Sequence, residues 1–384
     1  MNQKYNVTAA YYLTFILLGF TIAVEGATLL QLARNTSSTL DQISLIFFFG
    51  SLGYLTGSYA SGKIYDRVPG HRIMAGVCVL LALCMTLIPV SKILWILLVV
   101  VFILGVAKGA LDVGCNTLVI WVHREKAGPF VNGLHAAFGL GAFTAPLVVQ
   151  SIITATDSIN WVYWSCAMIA IPIGLWLNWT PSPVARKTPD QHVNSPVQAI
   201  ALVMMVLCFA FYVGAESGYG NFIKTYTIIL DLGSESQANF LNSAFWGSFT
   251  LGRLLGIWAS TRFHALSLLY VDLAGCLASA IFVFLIPGSV TALWIGTVLL
   301  GIFLASIFPA LLALSDERMH ITGSMAGWFL VGASLGGMTI PWGIGQAVVR
   351  FGGRAMTEII IACLLANTVS LLIFTRILDP AQDA

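Results

Sequence analysis

Polar residues are so sparse along this chain that its pattern is best described by where the apolar runs stop. Apolar segments fall at roughly 8–32, 40–62, 72–90, 93–121, 129–154, 158–180, 197–222, 237–260, 265–287, 290–314, 320–347 and 352–377, separated by short polar breaks. Each is near the ~20 residues that a helix needs to cross a bilayer, and too long for a barrel strand. Backbone groups in hydrocarbon find no water, so each segment must satisfy its own amides and carbonyls as a helix. The pattern predicts an all-α membrane protein with twelve transmembrane helices. The most polar break, Pro181–Pro196, holds three further ionic residues, Arg186, Lys187 and Asp190, and divides the spans six and six. The expected organisation is an N-terminal bundle over 1–180, a cytoplasmic linker over 181–196 and a C-terminal bundle over 197–384.

Composition closes off other classes. Of 384 residues, 58% are hydrophobic and only 9% charged, with a mean hydropathy of +0.89. Soluble domains carry about 25% charged residues, so this chain cannot cover a soluble surface. A water-soluble enzyme, a nucleic-acid binder and a large extramembrane domain are excluded. The net charge of +2 says little; its distribution says more. With the N-terminus inside, eleven of the 18 Lys and Arg residues fall on inner loops and five on outer ones, while Lys108 and Arg253 stay within spans. Both termini are therefore expected in the cytoplasm, of a bacterial inner membrane. The first apolar run continues past Glu25 to about Leu32 and reads as a retained span, not a leader peptide. Seven cysteines lie inside apolar runs without metal-ligand spacing and read as small buried hydrophobes.

The halves echo each other. Phe49-Gly50-Ser51 in span 2 returns as Trp246-Gly247-Ser248 in span 8, and Leu140-Gly141 with Thr144 and Pro146 returns as Leu335-Gly336 with Thr339 and Pro341. The offsets, 197 and 195 residues, nearly coincide, which points to a duplicated six-helix unit. Repeats of this kind place a substrate site near the midplane between them.

Charges inside spans are costly, so they usually face a partner or a wet cavity. Lys108, Asp112 and Asn116 follow each other at intervals of four and share one face of span 4. Lys108 and Asp112 can neutralise each other; alternatively Asp112 exchanges a cation or proton, modulated by Lys108. Glu25 and Glu216 occupy corresponding spans 1 and 7 and are expected to line the cavity. His135, with Asn132 near the start of span 5, reads as a packing residue. Arg253 and Asp272 are expected to pair. Asn239, Asn242 and Trp246 form a stripe on span 8 suited to a hydroxyl-rich ligand, with amides for hydroxyls and a ring for the apolar face. No H-E-x-x-H, G-x-S-x-G or Walker loop is present, so hydrolytic or ATP-driven chemistry lacks its usual marks.

The loop between spans 2 and 3, Gly62-Lys63-Ile64-Tyr65-Asp66-Arg67-Val68-Pro69-Gly70-His71-Arg72, resembles the G-x-x-x-D-R-x-x-G-x-R/K signature of the major facilitator superfamily. Gly62 and Gly70 permit a tight turn, Asp66 suits a helix N-terminus, and Arg67 and Arg72 suit carboxylate partners. These five form an expected conformational latch. The equivalent stretch after span 8, Gly256 to Arg262, has lost the acid. The resemblance implies two pseudo-symmetric six-helix bundles in which spans 2, 5, 8 and 11 meet. Small-residue ladders at Gly53, Gly57 and Ser61, at Gly252 and Gly256, and at Gly332 and Gly336 are expected to be smooth faces where those spans rock.

A second stretch, Gly105-Val106-Ala107-Lys108-Gly109-Ala110-Leu111-Asp112-Val113-Gly114-Cys115-Asn116-Thr117-Leu118 followed by Pro129-Phe130-Val131-Asn132-Gly133-Leu134-His135, is similar to the span 4–5 region of the sodium-dependent glucose transporter-like and fucose-permease-like group. That resemblance implies cation-coupled uptake of a sugar or related polar solute, with Asp112 and Asn116 at matching positions. Lys108 stands where the group commonly has a polar or small residue, which bears on the coupling ion. The expected function is secondary active transport by alternating access, coupled to H+ or Na+ and using no other cofactor. Ion coupling falls to Glu25, Lys108 and Asp112, and solute contact to Asn116, Glu216, Asn242 and Trp246. The expected partners are a small-molecule solute and membrane lipids, with no nucleic acid, and the working unit is a monomer. The alternatives are a drug–proton antiporter, whose span 5 glycine–proline motif is missing here, a lipid or glycolipid flippase of the same fold, and a non-transporting membrane receptor or scaffold.

Overall fold

The computed structural model describes residues 3–65, 67–183, 196–319 and 323–378. Every expected apolar run lies on helix. Span 1 is Gln3–Ala27, carried on by Leu29–Asn35; span 2 is Leu40–Ile43 with Leu45–Tyr65; spans 3 to 6 are Gly70–Leu87, Leu94–His123, Gly128–Thr156 and Asn160–Trp179. Spans 7 to 9 are Pro196–Ile229, Glu235–Ser260 and Ala265–Leu285; span 10 is Val290–Leu304 with Ile307–Met319; spans 11 and 12 are Gly323–Phe351 and Ala355–Ile377. Ten of these are long and apolar enough to cross a membrane. Spans 8 and 11 fall short in hydropathy because of their amides, charges and glycines, yet they are as long as the rest. The linker expected at 181–196 lies mostly outside the described residues.

Local chemistry sets several helix ends. Span 8 starts at a capping box, where Ser234 Oγ accepts from the Gln237 amide at 3.3 Å and Gln237 Oε1 accepts from the Ser234 amide at 2.9 Å. Pro129 lies in the first turn of span 5, where its missing N–H costs nothing. Pro146 in span 5 and Pro341 in span 11 sit inside their helices and each removes one ladder bond. The two prolines occupy equivalent places in the two halves.

Helix contacts repeat with the same symmetry. Span 1 packs on 5 as 7 packs on 11, span 2 on 4 as 8 on 10, and span 3 on 6 as 9 on 12. Between the halves, span 5 meets span 8 and span 2 meets span 11. The small-residue ladders are not at those junctions, which corrects the expectation. A methyl at Gly57 would lie 2.1 Å from the Val106 carbonyl oxygen of span 4, one at Gly252 2.4 Å from the Ile302 oxygen of span 10, and one at Gly336 1.8 Å from the Ala210 oxygen of span 7. The ladders bring backbones together within each half. The reason is dispersion: without a hydrophobic drive between helices in lipid, close backbone contact holds a bundle, and a rigid bundle needs it more than a moving junction.

With both termini on one face of this up-and-down array, the opposite face may be called the far face. All hydrogen bonds between the halves among the described residues lie at mid-span or toward the far face. They are Lys224 to the Ala27 carbonyl, Gln31 to Glu235, Asn239 to Gln150, Ser243 to the Phe143 carbonyl and Gln346 to the Asp41 carbonyl. Toward the terminal face, Gly62, Gly128 and Gly327 have no neighbouring atom within 4 Å of where a side chain would start. The bonds between the halves among the described residues therefore gather from mid-span to the far face.

Candidate functional site

Span 4 places its charges as the four-residue spacing requires, but their partners differ from expectation. Lys108 Nζ donates to Glu25 Oε1 of span 1 at 2.6 Å, and both are buried, at 4% and 7% exposure. Lys108 thus neutralises Glu25 and not Asp112. This corrects the pairing read along span 4, and the physical reason is register. Neighbouring positions on one helix face are about 5–6 Å apart, whereas a carboxylate on the adjacent helix meets the ammonium head-on. Two ion pairs occur among the described residues, this one and Lys224–Glu235.

Asp112 is left without a cation. It is half-buried; Tyr54 of span 2 donates its hydroxyl to Oδ2, and Asn116 donates to Oδ1 at 3.0 Å. Asn116 also donates to the Asp112 carbonyl at 3.1 Å, so this expected solute contact is spent on holding the acid. Isolating a carboxylate from water is expensive unless it is hydrogen-bonded, and the phenol and amide supply that. Tyr54 was not foreseen. Its signal is its place beside Gly53 in a ladder that packs on span 4, which points the tyrosine at the same helix that carries Asp112.

In the other half, Glu216 is half-buried and lies within electrostatic reach of Tyr212 and Arg253. The Arg253 guanidinium sits 4.7 Å from the Phe249 ring centre, a cation–π contact. His135, in the opposite half, lies within electrostatic range of Arg253 and meets Phe15 edge-on at 6.0 Å. The expected Arg253–Asp272 pair does not form: Asp272 accepts from Ser306 at 2.7 Å. The Tyr212 hydroxyl, Arg253 Nε and Trp246 Nε1 are buried donors without a hydrogen-bond partner.

Asn242 and Trp246 are not at an open crevice in this conformation. Asn242 is wholly buried and donates to the Gly220 carbonyl at 2.9 Å. Trp246 is 2% exposed and packs with Phe245 and Phe249. Asn239 donates to Gln150 across the halves at 2.8 Å. Of the stripe, Asn239 belongs to the junction between the halves, whereas Asn242 and Trp246 pack within the C-terminal half. Of the latch, Gly62 faces open space, Gly70 packs under Leu118 and Tyr65, and Arg67 and Arg72 are exposed; Asp66 lies outside the described residues. The latch histidine proves structural: His71 bonds Tyr11 at 2.6 Å and the Thr180 carbonyl at 2.8 Å, tying spans 1, 3 and 6. All seven cysteines are free and buried, as expected.

Comparison with known proteins agrees with this geometry. Residues 10–341 match the family model of the Major Facilitator Superfamily. The chain is 28% identical to Sodium-dependent glucose transporter 1A of Mus musculus, over 97% of this chain and 95% of that protein. It is 30% identical to Sodium-dependent glucose transporter 1 of Homo sapiens, over 86% of this chain and 71% of that protein. Among solved structures, a bacterial homolog to the human lysosomal transporter Spinster, in an inward-facing and unoccupied conformation, superposes with a TM-score of 0.77 at 15% identity, covering 98% of this chain and 96% of that one. That last likeness is one of fold. Twelve paired helices, charges gathered at mid-span and a family match across most of the array lead to one conclusion: the chain belongs to the Major Facilitator Superfamily and is an integral, multi-pass membrane transporter, not an enzyme.

Proposed function

We propose that the protein takes up a small hydroxyl-rich solute, of the sugar class, by alternating access, and that a proton on Asp112 couples the cycle. The terminal face is then the cytoplasmic one, in keeping with the Lys and Arg bias, and the far face, where the halves are bonded to each other, is the closed one. The observation that carries coupling is that Asp112 is a mid-span acid without a cation, while Glu25 is already neutralised by Lys108. Both Asp112 oxygens accept hydrogen bonds that favour the anion, so taking up a proton requires Tyr54 or Asn116 to turn away, which ties protonation to a local rearrangement.

Solute contact is supported by the unpaired donors of the C-terminal half. Tyr212 and Arg253 each present a buried donor, and a hydroxyl can accept from such groups while donating elsewhere. Glu216 supplies an acceptor beside them. A buried donor left unpaired penalises the empty site more than the filled one, which favours a ligand rich in oxygens. A second reading, sodium coupling at Asp112, is favoured by the names of the glucose-transporting relatives.

The test is uptake of radiolabelled hexoses by proteoliposomes under an imposed pH gradient or an imposed sodium gradient. Acid-driven accumulation, competed by unlabelled sugars, supports the proposal. Sodium-driven accumulation selects the second reading. Competition by lipophilic cations and not by sugars overturns the solute class.

A further inference from the structure

The junction that closes the far face carries chemistry that solute binding and coupling leave unused. Lys224, near the end of span 7, is completely buried, at 0% exposure. Its Nζ donates to the Ala27 carbonyl of the opposite half at 2.6 Å and to Glu235 of its own half at 3.2 Å. Ala27 ends the first stretch of span 1, where carbonyls lack intrahelical donors and the helix dipole is negative. The ammonium of one half therefore caps a helix of the other. Gln31, just beyond that break, donates to the same Glu235 carboxylate. Beside them the backbones touch, since a methyl at Gly26 would lie 2.6 Å from Asn221 Cα.

The rest of this junction is polar but poorly bonded. Gln31 Oε1, Asn221 Oδ1, Thr225 Oγ1 and Asn239 Oδ1 are buried without a partner. Such groups gain by meeting water, so the background favours parting. Arg34, from the N-terminal half, lies within electrostatic reach of Lys224 and repels it. A cavity of about 410 Å³ lined by Gln31, Arg34, Asp157 and Glu235 leads solvent to the edge of the contact. A few charge-assisted bonds thus hold shut a surface that is otherwise ready to hydrate. When the halves part, Lys224 keeps Glu235, because both ride on the same bundle, and loses only Ala27.

We propose that Lys224, Glu235, Gln31 and Gly26 form the far-face gate of the transport cycle, with Lys224 setting how long the gate stays shut and Gly26 allowing it to close. The gate depends on the family's alternating access and not on which solute or ion is carried, so its test can fail while the proposed function stands, and the reverse.

The test uses Thr225→Cys as a reporter in the full-length protein, labelled with a membrane-impermeant maleimide from the far side; the native cysteines are all buried. Lys224→Met should speed labelling at least about tenfold, the shift expected for losing one hydrogen bond to a charged group; Gly26→Val should also speed it, because its side chain would collide with the Asn221 backbone, and Lys224→Arg should remain slow. If Lys224→Met is not monodisperse, Glu235→Gln and Gln31→Ala provide the same reading. In parallel, oxidation of a Gln31→Cys/Glu235→Cys pair, whose native side chains touch across the junction, should stop solute exchange until reductant is added. Equal labelling rates in all monodisperse variants, or exchange that continues through the formed cross-link, would overturn the gate.

Discussion

Each half of the molecule sets a carboxylate beside a tyrosine at mid-span: Asp112 with Tyr54 in the first, Glu216 with Tyr212 in the second. Each also has a cation close at hand. In the second half Arg253 stays near Glu216, whereas in the first Lys108 is taken by Glu25. The scaffolds are paired helix for helix, so the difference lies in which acid receives the positive charge. One half is left with a carboxylate that no cation neutralises, and the other with a carboxylate within electrostatic reach of an arginine and beside unpaired donors. The proposed function divides the labour along this difference, with coupling in the first half and solute recognition in the second.

The largest effect that would sharpen this contrast comes from removing the lysine. Lys108→Met strands Glu25 as a buried, unpaired charge and should lower stability by about 3–5 kcal/mol, read by chemical denaturation in detergent. Glu25→Gln combined with Lys108→Met should recover most of that loss. If Lys108→Met alone costs nothing, the lysine does not belong to Glu25. The next effect concerns Tyr54. Tyr54→Phe removes a hydrogen bond to a charged acceptor, a contribution of about 1.5–3 kcal/mol. The anionic state of Asp112 suffers most, so the pH of half-maximal uptake should move upward while solute affinity holds. An unmoved pH profile would separate Tyr54 from coupling. The smallest effect lies in the second half: Arg253→Gln should weaken solute affinity by roughly tenfold, or about 1.4 kcal/mol, with the number of protons per solute unchanged. A changed stoichiometry with intact affinity would reverse the roles of the two halves.

The spans were legible because lipid leaves the backbone few choices, and the loop from Gly62 to Arg72 identified the fold through its turn residues. Asp112 and Asn116 were legible as a pair because four residues bring two side chains onto one helix face. The choice between Asp112 and Glu25 as partner of Lys108 was not, because it depends on the rotation of span 4 against span 1. Glycine spacing in spans 2, 8 and 11 announced close packing without saying which helix would approach, and the ladders turned out to face within each half. Asn242 and Trp246 read as solute contacts because amides and an indole suit sugars. The same groups also suit packing inside one half, where Asn242 meets the Gly220 carbonyl and Trp246 meets Phe245 and Phe249, and residue type does not distinguish these uses. Lys224 sits in the same uncertainty: on the sequence it is one more outer lysine, and packing makes it a buried link between the halves.

The most direct measurement compares the wild type with Asp112→Asn in proteoliposomes under an imposed inside-alkaline pH gradient, alongside exchange of preloaded solute without any gradient. The expected result is that the variant loses accumulation against a concentration gradient and retains exchange, because the carrier still alternates but no longer releases a proton. Undiminished accumulation by Asp112→Asn would contradict the role of this acid and, with it, the division of labour between the halves.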